Sequence, residues 1–459
     1  MGRWTMCINT QTPLLQFLHP PAPPARGKRG AEPPSLEGLR EGVDFRYSPG
    51  GVTRMVQPLV RHLRATGHLG VTHWVSLSPV NPEVLRVDGV THHAVSLDPE
   101  RMGGYGVVKE AIWGASHGAP GSPHRDMLLW SDAFGEYAYY NRATAERIRA
   151  LDQAEDFDLF YIHDFQQIAI GQMLSTVKPI IFRWHIPFDA ATVPEEWRSP
   201  LRNYLASYDT VVVSTDRYRR SLAAFGHRGR IRRIYPYVDA AEFSVPPPGQ
   251  VRTTAEHFGV KEEDEVALLV GRMDPTKGQD RAIEALAHLR PRFPRLKLVL
   301  AGNGSFSGSK SGLGLSKSSA WRSHLESRVR ELDLSGRVVF TGYVSQHQLD
   351  CLYERCRFTL LPSLQEGFGL VVVESWLHGK PAFISRKAGV AELAKPVARD
   401  VLIDPASPRQ LADRMARLLE GDETLEGRLA DHGRESARQC VLDTAVESEV
   451  RLLEEVVEE

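Results

Sequence analysis

Residues 265–278 read EVALLVGRMDPTKG, and residues 358–374 read FTLLPSLQEGFGLVVVE. Each stretch begins with a short apolar run and passes through a turn containing Gly and Pro into a helical pattern. A buried strand that leads directly into a helix is typical of parallel sheets covered by helices on both faces. These two stretches therefore predict an α/β fold.

The same alternation of short apolar runs and helical patterns continues along most of the 459 residues. Because one core rarely serves so long a chain, we expect two Rossmann-like domains, each with a doubly wound parallel sheet. The predicted strands of the first half are 4–9, 72–77, 159–162, 179–183 and 210–214. Those of the second half are 265–270, 297–301, 338–341, 358–361 and 381–384, and a helix is predicted at 281–289.

A Pro-rich stretch at 243–250, which continues neither a helix nor a central strand, predicts the linker between the domains. The expected organisation is an acceptor-binding domain at 1–243, a nucleotide-sugar-binding domain at 250–435, and a helix at 436–459 that returns towards the first domain. Two stretches at 20–39 and 305–319 are rich in Pro, Gly or Ser and predict surface loops. Whether they act as lids or have no function is left open.

The overall composition excludes several classes of protein. A net charge of −1, from 56 basic and 57 acidic residues, argues against a nucleic-acid binder. No signal-peptide pattern or apolar run long enough to cross a membrane is present, so a cytoplasmic protein without membrane insertion is expected. The four cysteines, at 7, 351, 356 and 440, lack the spacing of metal sites or disulfide frameworks, so we assign no metal. A homodimer is left open.

The first cluster of candidate site residues lies in the turn after the strand at 265–270. Arg272 and Lys277 are five residues apart across this turn, and the carboxyl ends of parallel strands face the ligand crevice. Two such cations can converge on one diphosphate. The alternative is an ordinary charged turn.

The second cluster places Glu366 and Glu374 on either side of a Gly-rich loop that opens a helix. Glycines permit a close approach of the backbone to a ligand, and the amino terminus of a helix attracts phosphate. A carboxylate accepts two hydrogen bonds from neighbouring hydroxyls, as in a ribose or a hexose. The loop therefore predicts a site for a sugar nucleotide.

Together, the Arg–Lys turn, the two glutamates and the segments at 379–381 (GKP) and 389–392 (GVAE) resemble glycosyltransferase family 4, whose members are retaining enzymes of GT-B fold. The resemblance implies two domains that face a central cleft. It implies that Arg272 and Lys277 bind the donor diphosphate, that Glu374 binds the ribose, and that Glu366 takes part in catalysis by binding the donor sugar. It also implies that the backbone around Gly369, Leu370 and Val371 meets phosphate and sugar.

The first half contains motifs of its own. The segment 48–52 (SPGGV) before a helical run at 53–63 resembles the family's glycine loop, which places Gly51 beneath the donor phosphates. The segments 162–167 (IHDFQQ) and 183–188 (RWHIPF) follow neighbouring predicted strands and resemble trehalose-forming transferases. By that similarity Asp164 binds acceptor hydroxyls and His185 lies beside the anomeric centre.

Three further residues of the first half are candidates for binding the acceptor. Arg54 and Arg183 can pair with an anionic acceptor, although Arg183 can equally be a buried structural cation. For His163 a structural role is favoured over a catalytic one.

The resemblance implies a retaining transfer of glucose or mannose from a nucleotide diphosphate sugar, with no cofactor or metal required. Both partners are small molecules, and the acceptor is glucose, a sugar phosphate or a glycerate-type compound. The product is then trehalose or a glucosylglycerate-like solute. The donor base is left open. The alternatives are a sugar-nucleotide epimerase, a phosphorylase, or a non-catalytic protein that binds sugar nucleotides, because fold alone does not determine function.

Overall fold

The structure is a computed structural model that describes residues 3–19, 33–48, 50–117, 128–302 and 315–458. The chain forms two compact units. The first unit comprises residues 1–234 and 446–459, and the second comprises residues 235–445.

The first unit is built from strands and helices that alternate over most of its length. Its strands are β1 (Trp4–Thr10), β2 (Leu15–Phe17), β3 (Phe45–Tyr47), β4 (Leu69–Leu77), β5 (Val84–Val87), β6 (Val90–Val95), β7 (Leu159–His163), β8 (Ile180–Trp184), β9 (Thr210–Val213) and β10 (Arg230–Arg233). Its helices are α1 (Gly51–Ala65), α2 (Pro99–Ser116), α3 (Asp132–Glu155), α4 (Ile170–Leu174), α5 (Glu195–Leu205) and α6 (Asp216–Ala224).

Eight of these strands form one sheet in the order β10-β9-β8-β7-β1-β4-β6-β5. All neighbours are parallel except β5, which runs antiparallel to β6. From β1 the chain proceeds first towards β4 and β6, and only later fills the other side from β7 onwards. The direction of winding therefore changes between β1 and β7, and ligands of such sheets bind where it changes.

The second unit repeats this architecture with a smaller sheet. Its strands are β11 (Glu265–Val270), β12 (Leu296–Ala301), β13 (Val338–Gly342), β14 (Phe358–Leu361), β15 (Ala382–Ser385) and β16 (Leu402–Ile403). Its helices are α7 (Pro248–His257), α8 (Gln279–Leu289), α9 (Leu315–Glu331), α10 (Gln346–Arg355), α11 (Leu370–Leu377), α12 (Ala398–Val401), α13 (Pro408–Leu419) and α14 (Glu423–Ala437). The last helix, α15 (Leu442–Val457), contributes its residues from Val446 onwards to the first unit.

The sheet of the second unit is parallel, in the order β13-β12-β11-β14-β15-β16, so its winding changes direction between β11 and β14. The central strand β11 is buried on both faces. Ala267 and Leu269 join one apolar core, whereas Val266 and Leu268 join a second core. Each large side chain buried in this way stabilises the fold by roughly 1.5–3 kcal/mol. This is why β11 has the continuous apolar sequence from which the strand was predicted.

The predicted fold class, with two Rossmann-like doubly wound domains, is confirmed. Each of the ten predicted strands overlaps an observed one, and those at 265–270 and 358–361 have the observed bounds. No helix in the described part of the chain is both long enough and apolar enough to cross a membrane.

The structure differs from the sequence prediction at two places. The units divide between Ile234 and Tyr235, and the predicted linker at 243–250 lies inside the second unit. There Pro248 begins α7, because proline is well tolerated in the first turn of a helix. The predicted loop at 305–319 ends in α9 from Leu315 onwards, whereas its residues 305–314 lie outside the described part. The loop at 20–39 is described only from residue 33.

Candidate active site

The turn after β11 carries the two predicted diphosphate ligands. Asp274 orders it, since its Oδ1 accepts hydrogen bonds from the backbone N and the Oγ1 of Thr276 at 2.9 and 2.6 Å. The Nε2 of Gln279 donates to the carbonyl oxygen of Arg272 at 2.6 Å. Burial opposes the ionisation of Asp274, but Arg272, Thr276 and Lys277 together lower the pKa of its carboxyl. The turn therefore holds two cations on an ordered backbone.

The turn after β11 packs tightly against the loop after β14. Gly278 has a φ of +70°, and a Cβ atom on it would lie 2.3 Å from the carbonyl oxygen of Pro362. The backbone N of Leu364 donates to the carbonyl oxygen of Thr276 at 2.8 Å. The two predicted clusters thus lie together at the point where the winding of the sheet changes.

Lys277 and Glu366, predicted to bind diphosphate and sugar respectively, pair with each other. The Nζ of Lys277 lies 2.5 Å from the Oε2 of Glu366, and their side chains are 18% and 16% exposed. The Oγ of Ser363 donates to the same carboxylate at 3.3 Å. Because both side chains keep some contact with solvent, a bound diphosphate and sugar hydroxyls can replace each partner of the pair.

The loop with Glu366 ends at the amino terminus of α11. Gly369 has a φ of +107°, and a Cβ atom on it would lie 2.6 Å from the Cδ2 of Leu361. Leu370 and Val371, both partly exposed, form the first turn of this helix. The N–H groups of a first helical turn have no partner within the helix and attract anions. A Cβ atom on Gly369 would also lie 3.7 Å from the Cγ of Glu366, so the start of α11 lies close to the Lys277–Glu366 pair.

Glu374 lies one turn further along α11 and is 3% exposed. Its Oε2 accepts a hydrogen bond at 2.9 Å from the hydroxyl of Tyr353, which also lies 3.3 Å from the carbonyl oxygen of Val371. Tyr353 belongs to α10 and could not be predicted as a partner of Glu374, because nothing in the local sequence pattern marks a tyrosine 21 residues away. Its hydroxyl fixes the orientation of the predicted ribose ligand.

In the first unit, the predicted glycine loop leads into α1. The Oγ1 of Thr53 donates to the carbonyl oxygens of Ser48 and Gly50 at 3.1 and 2.9 Å, which closes the turn. A Cβ atom on Gly50 would meet no atom closer than 3.7 Å. Gly51 is exposed and Arg54 is partly buried, both in the first turn of α1, whereas Pro49 lies outside the described residues.

Asp164 follows β7 with a φ of +73°, a conformation that residues other than glycine seldom adopt. Its backbone N donates to the carbonyl oxygen of Arg183 at 2.7 Å, and its Oδ1 accepts from the backbone N of His185 at 3.3 Å. Burial raises the pKa of the Asp164 carboxyl to about 7. Strained backbone is frequent at functional sites, and Asp164 combines it with a buried carboxyl at the point where the first sheet changes direction.

His163 and His185 are brought together by the neighbouring strands β7 and β8. The Nδ1 of His163 lies 3.1 Å from the Nε2 of His185, and Tyr161 stacks on His163 with ring centroids 4.4 Å apart. Burial lowers the pKa of both imidazoles well below the usual range, helped by the charge of Arg183 for His163 and by His163 and Arg183 for His185. Both rings are therefore neutral at neutral pH. His163 is fully enclosed, whereas His185 is partly exposed.

Arg183, unlike the partly exposed His185, is buried. It is 2% exposed and forms a buried ion pair with Glu449 of α15. Its guanidinium also donates to the hydroxyl of Tyr161 and to the carbonyl oxygen of Ile234, both at 3.3 Å. Of the two alternatives that the sequence left open, these surroundings are those of a buried structural cation. Glu449 was missed because it lies 266 residues further along the chain.

An apolar cavity of about 70 Å³ lies in the first unit behind the segment that carries His185. Phe165, Trp184, Pro187 and Phe188 contribute to its wall. Its lining is mostly apolar, although Ser116, Asp189, Thr192 and Tyr204 also contribute to it. It therefore offers a sugar few hydrogen-bond partners, and leaving sugar hydroxyls unpaired is costly.

The four cysteines are buried and free, and His347 lies 3.9 Å from the sulfur of Cys351. Within the described residues, no group of three or more His, Cys, Asp and Glu side chains is arranged to hold a metal ion.

Comparison with known proteins matches each unit to a family. Residues 251–436 match the family described as glycosyl transferases group 1, and residues 127–220 match the trehalose synthase N-terminal domain. D-inositol 3-phosphate glycosyltransferase 2 of Catenulispora acidiphila is 32% identical over 229 residues, which cover 49% of this chain and 50% of that protein. The chain thus spans about half the length of the first curated relatives that it matches.

Solved structures share the fold over nearly the whole chain. Sucrose-phosphate synthase from Thermosynechococcus elongatus is 18% identical, with 99% of both chains covered and a TM-score of 0.70. The UDP-forming α,α-trehalose-phosphate synthase from Burkholderia xenovorans, solved in complex with glucose-6-phosphate, is 15% identical, with 98% and 100% covered and a TM-score of 0.75. The resemblance predicted from the sequence is confirmed.

Proposed function

We propose that this chain, a GT-B glycosyltransferase close to trehalose synthase, transfers a hexose from a nucleotide diphosphate sugar to a small polar acceptor and retains the anomeric configuration. The observation that carries the proposal is the Lys277–Glu366 pair, 2.5 Å apart beside the amino terminus of α11. It combines a cation for diphosphate with a carboxylate for sugar hydroxyls.

The donor binds to the second unit. Lys277 and Arg272 contact the diphosphate, and the first-turn N–H groups of Leu370 and Val371 add hydrogen bonds to it. Glu366 turns from Lys277 to the hydroxyls of the hexose. Glu374, oriented by Tyr353, accepts hydrogen bonds from the ribose.

The acceptor binds to the first unit. The ionised carboxylate of Asp164 accepts a hydrogen bond from an acceptor hydroxyl and orients it for attack. His185, neutral and partly exposed, hydrogen-bonds the transferred hexose. Gly51 meets the donor phosphates, and Arg54 in the same turn of α1 supplies a cation for an acceptor that carries a phosphate or a carboxylate.

The chemical step exchanges one bond at the anomeric carbon for another on the same face. The bond from this carbon to the diphosphate oxygen breaks, a bond to the acceptor oxygen forms, and the acceptor's proton passes to the departing diphosphate. Arg272, Lys277 and the helix terminus stabilise the charge that develops on the leaving group. In this mechanism the protein's own cations perform the work that a divalent ion does in other transferases, and no metal is required.

The names of similar proteins support an acceptor with several hydroxyls and a phosphate. One relative is named a D-inositol 3-phosphate glycosyltransferase, and two proteins of similar structure are named sucrose-phosphate synthase and trehalose-phosphate synthase. We therefore propose a sugar phosphate or inositol phosphate as acceptor, and free glucose or a glycerate-type compound as the next candidates.

The proposal is tested with purified protein, a panel of nucleotide sugars and these acceptors, all in the presence of EDTA. We expect release of nucleoside diphosphate only when an acceptor is present, and a product whose anomeric configuration by NMR equals that of the donor. Release without glycosylated product, inversion of configuration, or loss of activity in EDTA would each contradict the corresponding part of the proposal.

A further inference from the structure

We infer that Glu449 and Arg183 are positioning residues, which fix the backbone that carries Asp164 and His185. The inference rests on the proposed function, in which Asp164 and His185 contact acceptor and donor sugar. Neither Glu449 nor Arg183 touches a substrate in it.

The pair lies in the interior of the first unit. Arg183 and Glu449 have side chains 2% and 1% exposed, and Arg183 donates to the Oε1 of Glu449. The hydroxyl of Tyr161 donates to the Oε2 of the same carboxylate at 3.2 Å. Both carboxylate oxygens are thus used, each by a group from a different strand of the sheet, β8 and β7.

The first connection from the pair to the site runs through the backbone. Arg183 is separated from His185 by one residue, and its carbonyl oxygen accepts the hydrogen bond from the backbone N of Asp164. Asp164 in turn accepts from the backbone N of His185 at 3.3 Å. A shift of Arg183 therefore moves the backbone on both sides of the Asp164 carboxyl.

The second connection runs through stacked rings. Tyr161, whose hydroxyl contacts Glu449, stacks on His163 at 4.4 Å, and the Nδ1 of His163 lies 3.1 Å from the Nε2 of His185. A shift of the Glu449 carboxylate would therefore move Tyr161 and His163, and through them the imidazole of His185.

Stability alone does not account for this arrangement. Replacing a buried ion pair by apolar side chains of similar size often leaves a protein equally stable or more stable, because two charges no longer need to be desolvated. Removing only one member is strongly destabilising. A role in geometry therefore predicts a double variant that is stable and yet a poor enzyme.

The experiment compares Glu449→Leu, Arg183→Met and the double variant with the wild type. We expect the single variants to have a lower Tm and the double variant to recover it, while all three lose about 10- to 100-fold in kcat/KM for the acceptor. The Kd for nucleoside diphosphate, measured by calorimetry, stays within about twofold because the side chains proposed to bind it, Arg272, Lys277 and Glu374, lie in the other unit. The matched control is Glu455→Gln, on the same helix as Glu449. This variant breaks an exposed ion pair with Arg232 of β10, and we expect it to leave activity unchanged.

A double variant with wild-type Tm and wild-type kcat/KM would overturn the inference. If the wild type transfers no sugar, the proposed function fails, and the inference is then decided by the imidazole NMR signals of His163 and His185. We expect these signals to shift in the double variant and to stay in place in Glu455→Gln. Unchanged signals in the double variant would overturn the inference independently of turnover.

Discussion

In the second unit Lys277 and Glu366 pair with side chains 18% and 16% exposed, whereas in the first unit Arg183 and Glu449 pair at 2% and 1%. The first pair can exchange partners when a charged ligand arrives, since solvent and ligand reach both groups. The second pair cannot exchange partners without bringing charges out of the interior, which is costly. This difference in exposure is why we propose a binding role for the Lys277–Glu366 pair and a positioning role for the Arg183–Glu449 pair.

The proposed donor half-site in the second unit and the proposed acceptor half-site in the first unit also differ in the charge of their side chains. The second unit places cations and a helix amino terminus at the change in winding, which suits a diphosphate. The first unit places the partly exposed imidazole of His185 beside the carboxyl of Asp164, with the enclosed His163 behind it, and burial favours the neutral form of all three groups. This difference is what the proposed function expects, with a highly charged donor bound by the second unit and a hydroxyl-rich acceptor bound by the first.

The largest effect that tests this comparison is expected at Asp164. Asp164→Asn should lower kcat/KM for the acceptor by roughly 100- to 1000-fold, because one preoriented charged group is lost from the site. Since the pKa of Asp164 is about 7, its carboxylate forms only as the pH rises through that value. Wild-type kcat/KM should therefore rise through pH 7 and level off above it, and the variant should lack this rise.

His163 and His185 should cause no second change in kcat/KM near pH 6.5, because both imidazoles stay neutral well below that pH. Asp189→Asn is the matched control, since Asp189 follows the neighbouring strand β8 but is exposed. An unaltered pH profile in Asp164→Asn would show that the carboxyl does not bind the acceptor.

The next effect concerns the backbone of the donor half-site. Gly369→Ala should lower the Tm by roughly 5–10 °C, because alanine is disfavoured at a φ of +107° and its Cβ would lie 2.6 Å from Leu361. Gly379→Ala is the control, with a φ of +68° and no atom closer than 3.6 Å, and should cost only about 2–4 °C. Equal shifts in a thermal melt would mean that close packing at Gly369 is unimportant.

A smaller effect is expected from the exposed pair. Lys277→Met should weaken nucleoside diphosphate binding by about 10- to 100-fold, the value of one or two charge-assisted hydrogen bonds. Lys297→Met is a matched control in the same sheet, since Lys297 pairs with Asp264 at 3.0 Å outside the site. Calorimetry measures both. A higher KM for the acceptor with an unchanged donor Kd would reverse the assignment of the two half-sites.

The smallest effect is expected at Tyr353. Tyr353→Phe removes one hydrogen bond to Glu374 and should weaken nucleoside diphosphate binding by about three- to tenfold. Binding of inorganic pyrophosphate, which has no ribose, should not change. Tyr343→Phe, at an exposed tyrosine, is the control. If pyrophosphate binding weakens equally, Glu374 acts on the phosphates and not on the ribose.

The contrast also explains how much could be predicted from sequence. The donor half-site is made from two short segments, each with its strand, turn and helix in sequence order, so its residues were readable as motifs. Because the carboxyl ends of parallel strands lie at the same edge of a sheet, the turns after β11 and β14 were expected to lie close together. The pairing of Lys277 with Glu366 did not follow, because it depends on the tight contact of Gly278 with Pro362.

The parts that were missed depend on residues distant in the chain. Glu449 forms the ion pair with Arg183, and Tyr353 donates the hydrogen bond to Glu374. Neither Glu449 nor Tyr353 belongs to a sequence motif. The linker was placed wrongly at 243–250 because a run of prolines was taken as a break, although Pro248 begins a helix. The proline content of a segment predicts an interruption of regular structure, but it does not indicate which of the two units the segment belongs to.

The position of Glu449 has a consequence for the order in which the protein is made. The chain emerges from the ribosome amino terminus first, and domains fold as they appear. Residues 1–234 are followed by the whole second unit, and Glu449 comes about 215 residues later. At ~5–20 residues per second this delay lasts roughly 10–40 s. The proposed acceptor half-site, although begun earlier, therefore gains its Glu449 contact only after the whole second unit has been synthesised.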